Sequence, residues 1–175
     1  MVKESLKLNL GSRDRTLDGY KNIDCDQHPG VDFVGDIADL SRFSDGSVEA
    51  LRASHCLEHV SHVRTLDVLK EWRRVLVHSG ILEVAVPDFA RAVEIYRFTG
   101  LEDWIQNLCM GDQGYPSATH FAIFDEARLR GLLLEAGFSD VSRVQFFSDS
   151  QPNECSNLRS NYDGKPVSLN MLAVK

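Results

Sequence analysis

Leu6-Lys7-Leu8-Asn9-Leu10-Gly11-Ser12-Arg13 is the stretch that decides how this chain is read. Leucines at 6, 8 and 10 alternate with Lys7 and Asn9, the period-2 pattern of a strand that packs one face on a core. The strand stops on Gly11, and a polar turn covers 12–15. A strand that ends on glycine leaves main chain with no Cβ in the way, so a ligand can come close there. Outward from this point, further short strands are predicted at 20–24, 31–34 and 48–54, with turns at His28-Pro29-Gly30 and Ser44-Asp45-Gly46. The links between them are too short for full helices, which is unusual for parallel strands. The first crossovers are therefore expected to be trimmed to loops.

Beyond Ser54 the period changes. Leu66, Val68, Leu69, Trp72, Val75 and Leu76 form one apolar stripe, which predicts a helix over 64–76. Gly80 is placed as its C-cap. The apolar run 81–86 suits a buried parallel strand. Residues 89–111 read as helix in two pieces parted at Thr99-Gly100, and 112–119 as loop. A last helix starts at Asp125, turns Leu129, Leu132, Leu133 and Ala136 inward and stops at Gly137. Strands are expected at 141–147 and 167–174, joined by a polar loop or hairpin tip over 148–165. Alternating strands and helices argue for one α/β domain spanning 1–175, with a mostly parallel sheet covered on both faces.

Bulk composition narrows the function classes. With 19 basic and 26 acidic residues among 175, the net charge is −7, which opposes general binding to nucleic acid or to an anionic membrane surface. Arg64, Lys70, Arg73 and Arg74 are the nearest thing to a basic patch. Asp67 and Glu71 lie among them, so a solvated mixed-charge helix face is expected. Cys25, Cys56, Cys109 and Cys155 are scattered without a CxxC pair, which argues against a disulfide scaffold and for a reducing, cytoplasmic setting. No apolar run suits a signal peptide or a membrane span, so a soluble protein is expected.

In open α/β sheets, ligands sit beyond the carboxyl ends of the strands. Gly11 and Ser12 follow the first strand, and Asp24 ends the second with Asp26 close by. A carboxylate there can accept hydrogen bonds from two ribose hydroxyls. Asp36 and Ile37 offer an acceptor and a backbone donor suited to an adenine edge. Ser54 and His55 end the fourth strand and would cover the ligand's other side.

The series LNLG, GYKNIDCD, GDIADL, FSDGSVEALRASHCLEHV, LKEWRRVLVHSGILEVAVPD and LRGLLLEAGF, spread over residues 6–147, resembles the class I S-adenosylmethionine-dependent methyltransferases, type 11-like branch. The resemblance implies a Rossmann-like α/β fold with a seven-stranded sheet whose last strand is antiparallel. It also implies S-adenosylmethionine as cofactor, with Gly11 against the methionine part, Asp24 on the ribose and Asp36-Ile37 framing the adenine. One position departs from the family's glycine-rich pattern: Arg13 stands where a second glycine is usual. Binding is expected to weaken unless Arg13 turns outward or pairs with the cofactor's carboxylate.

Methyl transfer to an oxygen or nitrogen needs an aligned acceptor and a base, and histidine titrates in the useful range. His59 and His120 are the candidates, the alternative being a helix cap and a surface residue. Asp88 stands at the same rim and reads equally as an N-cap. Tyr96, Trp104, Tyr115 and Phe121 are acceptor-pocket candidates, though such spacing fits core packing better.

Two other readings compete. Arg13 in the glycine loop is compatible with a degenerate, non-catalytic binding module of the same fold. His55, Glu58 and His59 match the H-x-x-E-H pattern of some zinc hydrolases, with His62 spare. That reading needs both histidines on one helix, whereas His55 ends a strand, and no third ligand is marked downstream, so no metal is expected. The acceptor (small molecule, glycan or protein) is not legible. Because the chain begins almost at its first strand, the site is expected to be open, completed by a partner or a second copy, or vestigial.

Overall fold

The computed structural model describes residues 6–147 and 166–175. Seven strands form one sheet: β1 Lys7–Leu10, β2 Lys21–Asp24, β3 Phe33–Val34, β4 Val48–Ser54, β5 Leu76–Pro87, β6 Ser139–Val144 and β7 Ser168–Val174. Their order is β3-β2-β1-β4-β5-β7-β6. Pairing is parallel from β3 through β5, and β7 runs antiparallel between β5 and β6. Among the described residues, four α-helices flank the sheet: α1 Thr65–Val75, α2 Phe89–Thr99, α3 Asp103–Met110 and α4 Glu126–Glu135. The expected mostly parallel α/β sheet with an antiparallel last strand is what forms.

Helix starts follow from local chemistry. The Asp88 carboxylate accepts from the Arg91 amide at 3.2 Å and that of Asp125 from the Arg128 amide at 2.7 Å, each satisfying an orphan donor of the first turn. Asp88 is thus an N-cap, further held by Arg143 Nη2 at 2.8 Å. α1 buries Val68, Leu69, Trp72 and Val75 against the sheet, where Leu8, Leu10, Leu51, Leu82 and Val84 are also buried.

No helix lies between β1 and β4. Loops without regular structure must satisfy their polar main chain in other ways, and side chains do so here. Asn9 Nδ2 donates to Arg15 O at 3.0 Å and to Asn22 Oδ1 at 2.9 Å, and Asn22 Oδ1 accepts from the Leu17 amide at 2.9 Å. The loop before β4 is clamped from α1. Trp72 Nε1 donates to Ile37 O at 2.8 Å, Arg74 donates to the carbonyls of Leu40 and Phe43, and Glu71 accepts from the Leu40 amide at 3.1 Å.

Three local expectations are corrected. The mixed-charge face of α1 is not simply solvated, because Arg74 and Glu71 hold the preceding loop and Arg73 Nε donates to Gly137 O at 2.8 Å. Gly80 is not a helix cap. β5 starts directly at Leu76 and bulges against β4, so that Val48 pairs Leu76 but Ala50 pairs Ile81. Gly80 fits within that bulge, where a Cβ would lie 2.9 Å from Val77 O. The strand expected over 141–147 forms earlier, at Ser139–Val144, with an irregularity between Ser139 and Ser142. The 148–165 loop lies outside the described residues. Among the described residues, no helix is long and apolar enough to cross a membrane.

Candidate active site

The carboxyl ends of β1, β2 and β4 converge at one rim, since Leu10 pairs with Ile23 on one side and Ala53 on the other. Gly11 takes φ +64° there, and a Cβ on it would lie 2.5 Å from Cys56 Cβ. Glycine is therefore required twice, for the turn and for the close approach of the segment after β4. Asp24 is 7% exposed. Its carboxylate accepts from the Arg13 amide at 2.7 Å and the Asp26 amide at 3.0 Å, which fixes it in place with acceptor capacity to spare.

Arg13 has φ +46°, so the arginine adopts the left-handed conformation for which glycine is usual. Its side chain turns out of the loop and is exposed. The guanidinium stacks on Tyr115, 4.5 Å from the ring centroid, and donates to Tyr115 Oη. Ser117 Oγ donates to Asp26 Oδ2 at 3.4 Å. Segment 112–119 is thereby strapped to the ends of β1 and β2. The Arg13 guanidinium thus rests on Tyr115 rather than in the Gly11 turn.

Next along the rim, Leu57–His59 forms a single 3₁₀ turn. Glu58 is 1% exposed, and neither carboxylate oxygen has an aligned hydrogen-bond donor among the described residues. Three histidines surround it. His55 Nδ1 lies 3.3 Å and His120 Nε2 4.0 Å from Glu58 Oε1, and the His59 and His120 rings meet edge to face at 4.8 Å. Burial pushes the Glu58 carboxyl up, but His55, with His59 and His120, outweighs it and leaves it below the usual carboxylate range. Burial likewise holds His120 below the usual imidazole range.

His120 reaches this cluster through the main chain. The Phe121 and Ala122 amides both donate to Glu58 O, at 2.8 and 3.1 Å, and the His120 amide donates to Met110 O at 3.0 Å. His59 Nδ1 bonds Thr119 O at 3.0 Å, and His120 Nδ1 bonds Leu108 O at 3.1 Å. Neither histidine is a plain surface residue or a helix cap. The hydrolase arrangement with two histidines on one helix is absent, because His55 has φ +53° and precedes the 3₁₀ turn.

The structural comparisons decide the fold family. A SAM-dependent methyltransferase of Archaeoglobus fulgidus superposes with TM-score 0.65 at 13% identity, over 98% of this chain and 86% of that one. A SAM-dependent methyltransferase of Thermotoga maritima gives 0.62 at 18% identity, over 100% and 84%. The chain has the class I methyltransferase fold. A chain of the Haloferax volcanii complex between the Trm112 methyltransferase activator and a methyltransferase also matches, with TM-score 0.60, 16% identity and coverage of 98% and 83%. Residues 17–84 match the family model described as a methyltransferase domain. No curated protein sequence matches the chain significantly.

Within this methyltransferase fold, Gly11, Ser12, Asp24, Ser54 and His55 lie along the convergent strand ends. The Ser12 and Ser54 hydroxyls are buried without a partner among the described residues. Asp36 and Ile37 sit past β3, where the Asp36 carboxylate is turned on the Ala38 amide at 2.8 Å and Ile37 O accepts from Trp72. Tyr96, Tyr115 and Phe121 are exposed rather than in the core, which corrects the packing expectation. Sequence reasoning missed Ser168 and Asn170 on β7, which hold His55 from across the sheet. It also missed Tyr115 as the resting place of Arg13. No local signal marks Ser168 or Tyr115, whose partners His55 and Arg13 lie 113 and 102 residues away.

Proposed function

We propose that the protein is an S-adenosylmethionine-dependent methyltransferase that moves a methyl group to an oxygen or nitrogen. The observation that carries this is the rim itself: a left-handed Gly11 turn against Cys56, a buried and pre-oriented Asp24, and two unpartnered hydroxyls, Ser12 and Ser54. These groups fit an adenosine-type cofactor. The spare acceptor sites of Asp24 suit its ribose hydroxyls, the Gly11 turn admits its methionine part, and Asp36 with Ile37 borders its adenine. S-adenosylmethionine supplies an activated methyl group when bound.

This chain's own residues orient and deprotonate. A carbonyl oxygen only accepts, so His59 and His120 each donate Nδ1–H to one and keep Nε2 as a proton acceptor at the rim. In the transfer, the acceptor's O–H or N–H proton passes to such a nitrogen. S-adenosylmethionine held at this rim would supply the methyl group and would keep the electron pair of its carbon–sulfur bond. The acceptor would enter beside His62, Phe121 and Ile123, which line a cleft next to His120. Exposed Phe98, Leu101 and Met110 nearby in sequence support completion of the site by a partner or a second copy. Cys25, Cys56 and Cys109 form no disulfide among the described residues, which suits a reducing cytoplasm.

Isothermal titration with S-adenosylmethionine and S-adenosylhomocysteine tests this reading. Saturable binding is expected, weakened roughly 10- to 100-fold by Asp24→Ala, the loss of hydrogen bonds to a charged acceptor. A folded protein that takes up neither ligand at millimolar concentration overturns it.

A further inference from the structure

The hydrogen bonds around Glu58 leave several lone pairs facing one another. Asn170 Nδ2 donates to Gln145 O at 2.7 Å, so its Oδ1 faces Ser168. The Ser168 hydroxyl gives its one proton to that oxygen at 2.8 Å. Ser168 Oγ is 3.0 Å from His55 Nε2, and with its proton spent it must accept from Nε2–H. A neutral His55 then turns the lone pair of Nδ1 toward Glu58 Oε1, 3.3 Å away.

His59 and His120 are arranged in the same sense. Each donates Nδ1–H to a backbone carbonyl, which leaves Nε2 as the ring nitrogen available to a ligand. Among the described residues, one ligand atom from each of Glu58, His59 and His120 lies within 4.8 Å of the others. The Glu58 carboxylate is buried with no aligned donor on either oxygen. Lone pairs converging on a buried anion repel unless a proton or a metal cation sits between them. Imidazoles whose far N–H is pinned by a carbonyl, next to a carboxylate, are the usual surroundings of a bound metal.

We propose that Glu58, His59 and His120, with His55 as a further donor beside Glu58, form a site for a divalent first-row transition ion. Two or three imidazoles and one carboxylate suit zinc, iron or cobalt, whereas magnesium and calcium prefer sites made of oxygen. A set of three or four protein ligands would leave room for a further ligand, and His120 also lines the cleft with His62 and Phe121. The site shares His59 and His120 with the methyl-transfer reading, but its occupancy is measured without S-adenosylmethionine. An ion held there would take up imidazole nitrogens that the methyl-transfer reading uses as proton acceptors, and would supply Lewis acidity at the same rim.

The test uses the full chain, stripped with a chelator and shown to be folded by circular dichroism. Cobalt(II) is titrated while its visible absorption is followed, and zinc is titrated by calorimetry. One equivalent of each ion is expected, with zinc displacing cobalt and raising the melting temperature. Glu58→Gln keeps the buried shape and His120→Ala removes a different ligand, and each is expected to weaken binding at least about tenfold. His78→Ala, exposed at the opposite end of the sheet, is expected to bind as the parent does. A folded parent that gives neither absorption change nor heat overturns the site. So does binding that survives in both Glu58→Gln and His120→Ala. A melting temperature lowered by Glu58→Gln but unmoved by zinc in the parent would show a plain His55–Glu58 ion pair instead, and would equally overturn it. None of these readouts requires S-adenosylmethionine, so failure here is separate from failure of the cofactor reading.

Discussion

Gly11 has two separate reasons to be glycine, and both can be measured. Its φ of +64° costs a side-chain-bearing residue, and an alanine methyl would stand 2.5 Å from Cys56 Cβ. Gly11→Ala is expected to lower stability by about 2–4 kcal/mol, the sum of left-handed strain and overpacking, as read from urea unfolding. The substitution should also weaken S-adenosylmethionine, because the displaced Cys56 segment carries the neighbouring His55. Arg13 shows the other side of the same chemistry. A missing glycine in the motif reads as damage when only the sequence is in view. In the fold the arginine takes the left-handed turn, and its charge is led away to Tyr115. The resting place of a long side chain depends on a partner 102 positions away, and no residue pattern around position 13 encodes it.

Among the elements, α1 does more than cover the sheet. Trp72, Glu71 and Arg74 reach the loop that stands in place of the helix before β4 and satisfy its carbonyl and amide groups. The helix was legible because an apolar stripe repeats every three or four residues. Its clamp was not, because a charged residue reads as solvated until the loop beside it is placed. Hydrogen bonding to Arg74 holds the Glu71 carboxyl below the usual carboxylate range. A depressed folded value means that the pair stabilises the protein above the unfolded carboxyl's pKa and stops doing so as pH falls through the folded value. Unfolding midpoints measured from pH 7 down to 3 should therefore fall more steeply in the parent than in Glu71→Gln, with the difference developing below about pH 5. Equal slopes would show that the clamp contributes nothing through its charge.

At the scale of the whole molecule, the candidate site exists because segment 118–122 returns to the end of β4. Gly111 makes that return: it has φ +75°, and a Cβ on it would lie 1.8 Å from Ala118 O. Gly111→Ala should detach the segment while leaving the sheet intact. The expected sign is hydrogen exchange at the Phe121 and Ala122 amides, which bond Glu58 O, at least about tenfold faster, with β4 and β5 amides little changed. Uniform acceleration across the sheet would mean that the return is part of the global fold rather than a separately opening unit. The sequence by itself determined the alternation of strands and helices, the parallel sheet and the glycine and acid at its strand ends, because periodicity and turn chemistry act over a few neighbouring residues. Only the tertiary structure decided that His120 joins Glu58, that Ser168 bonds His55 and that Arg13 rests on Tyr115. Those contacts join residues 62, 113 and 102 positions apart, and which lone pairs face one another is settled only when the strands have paired and the loops have closed over their ends.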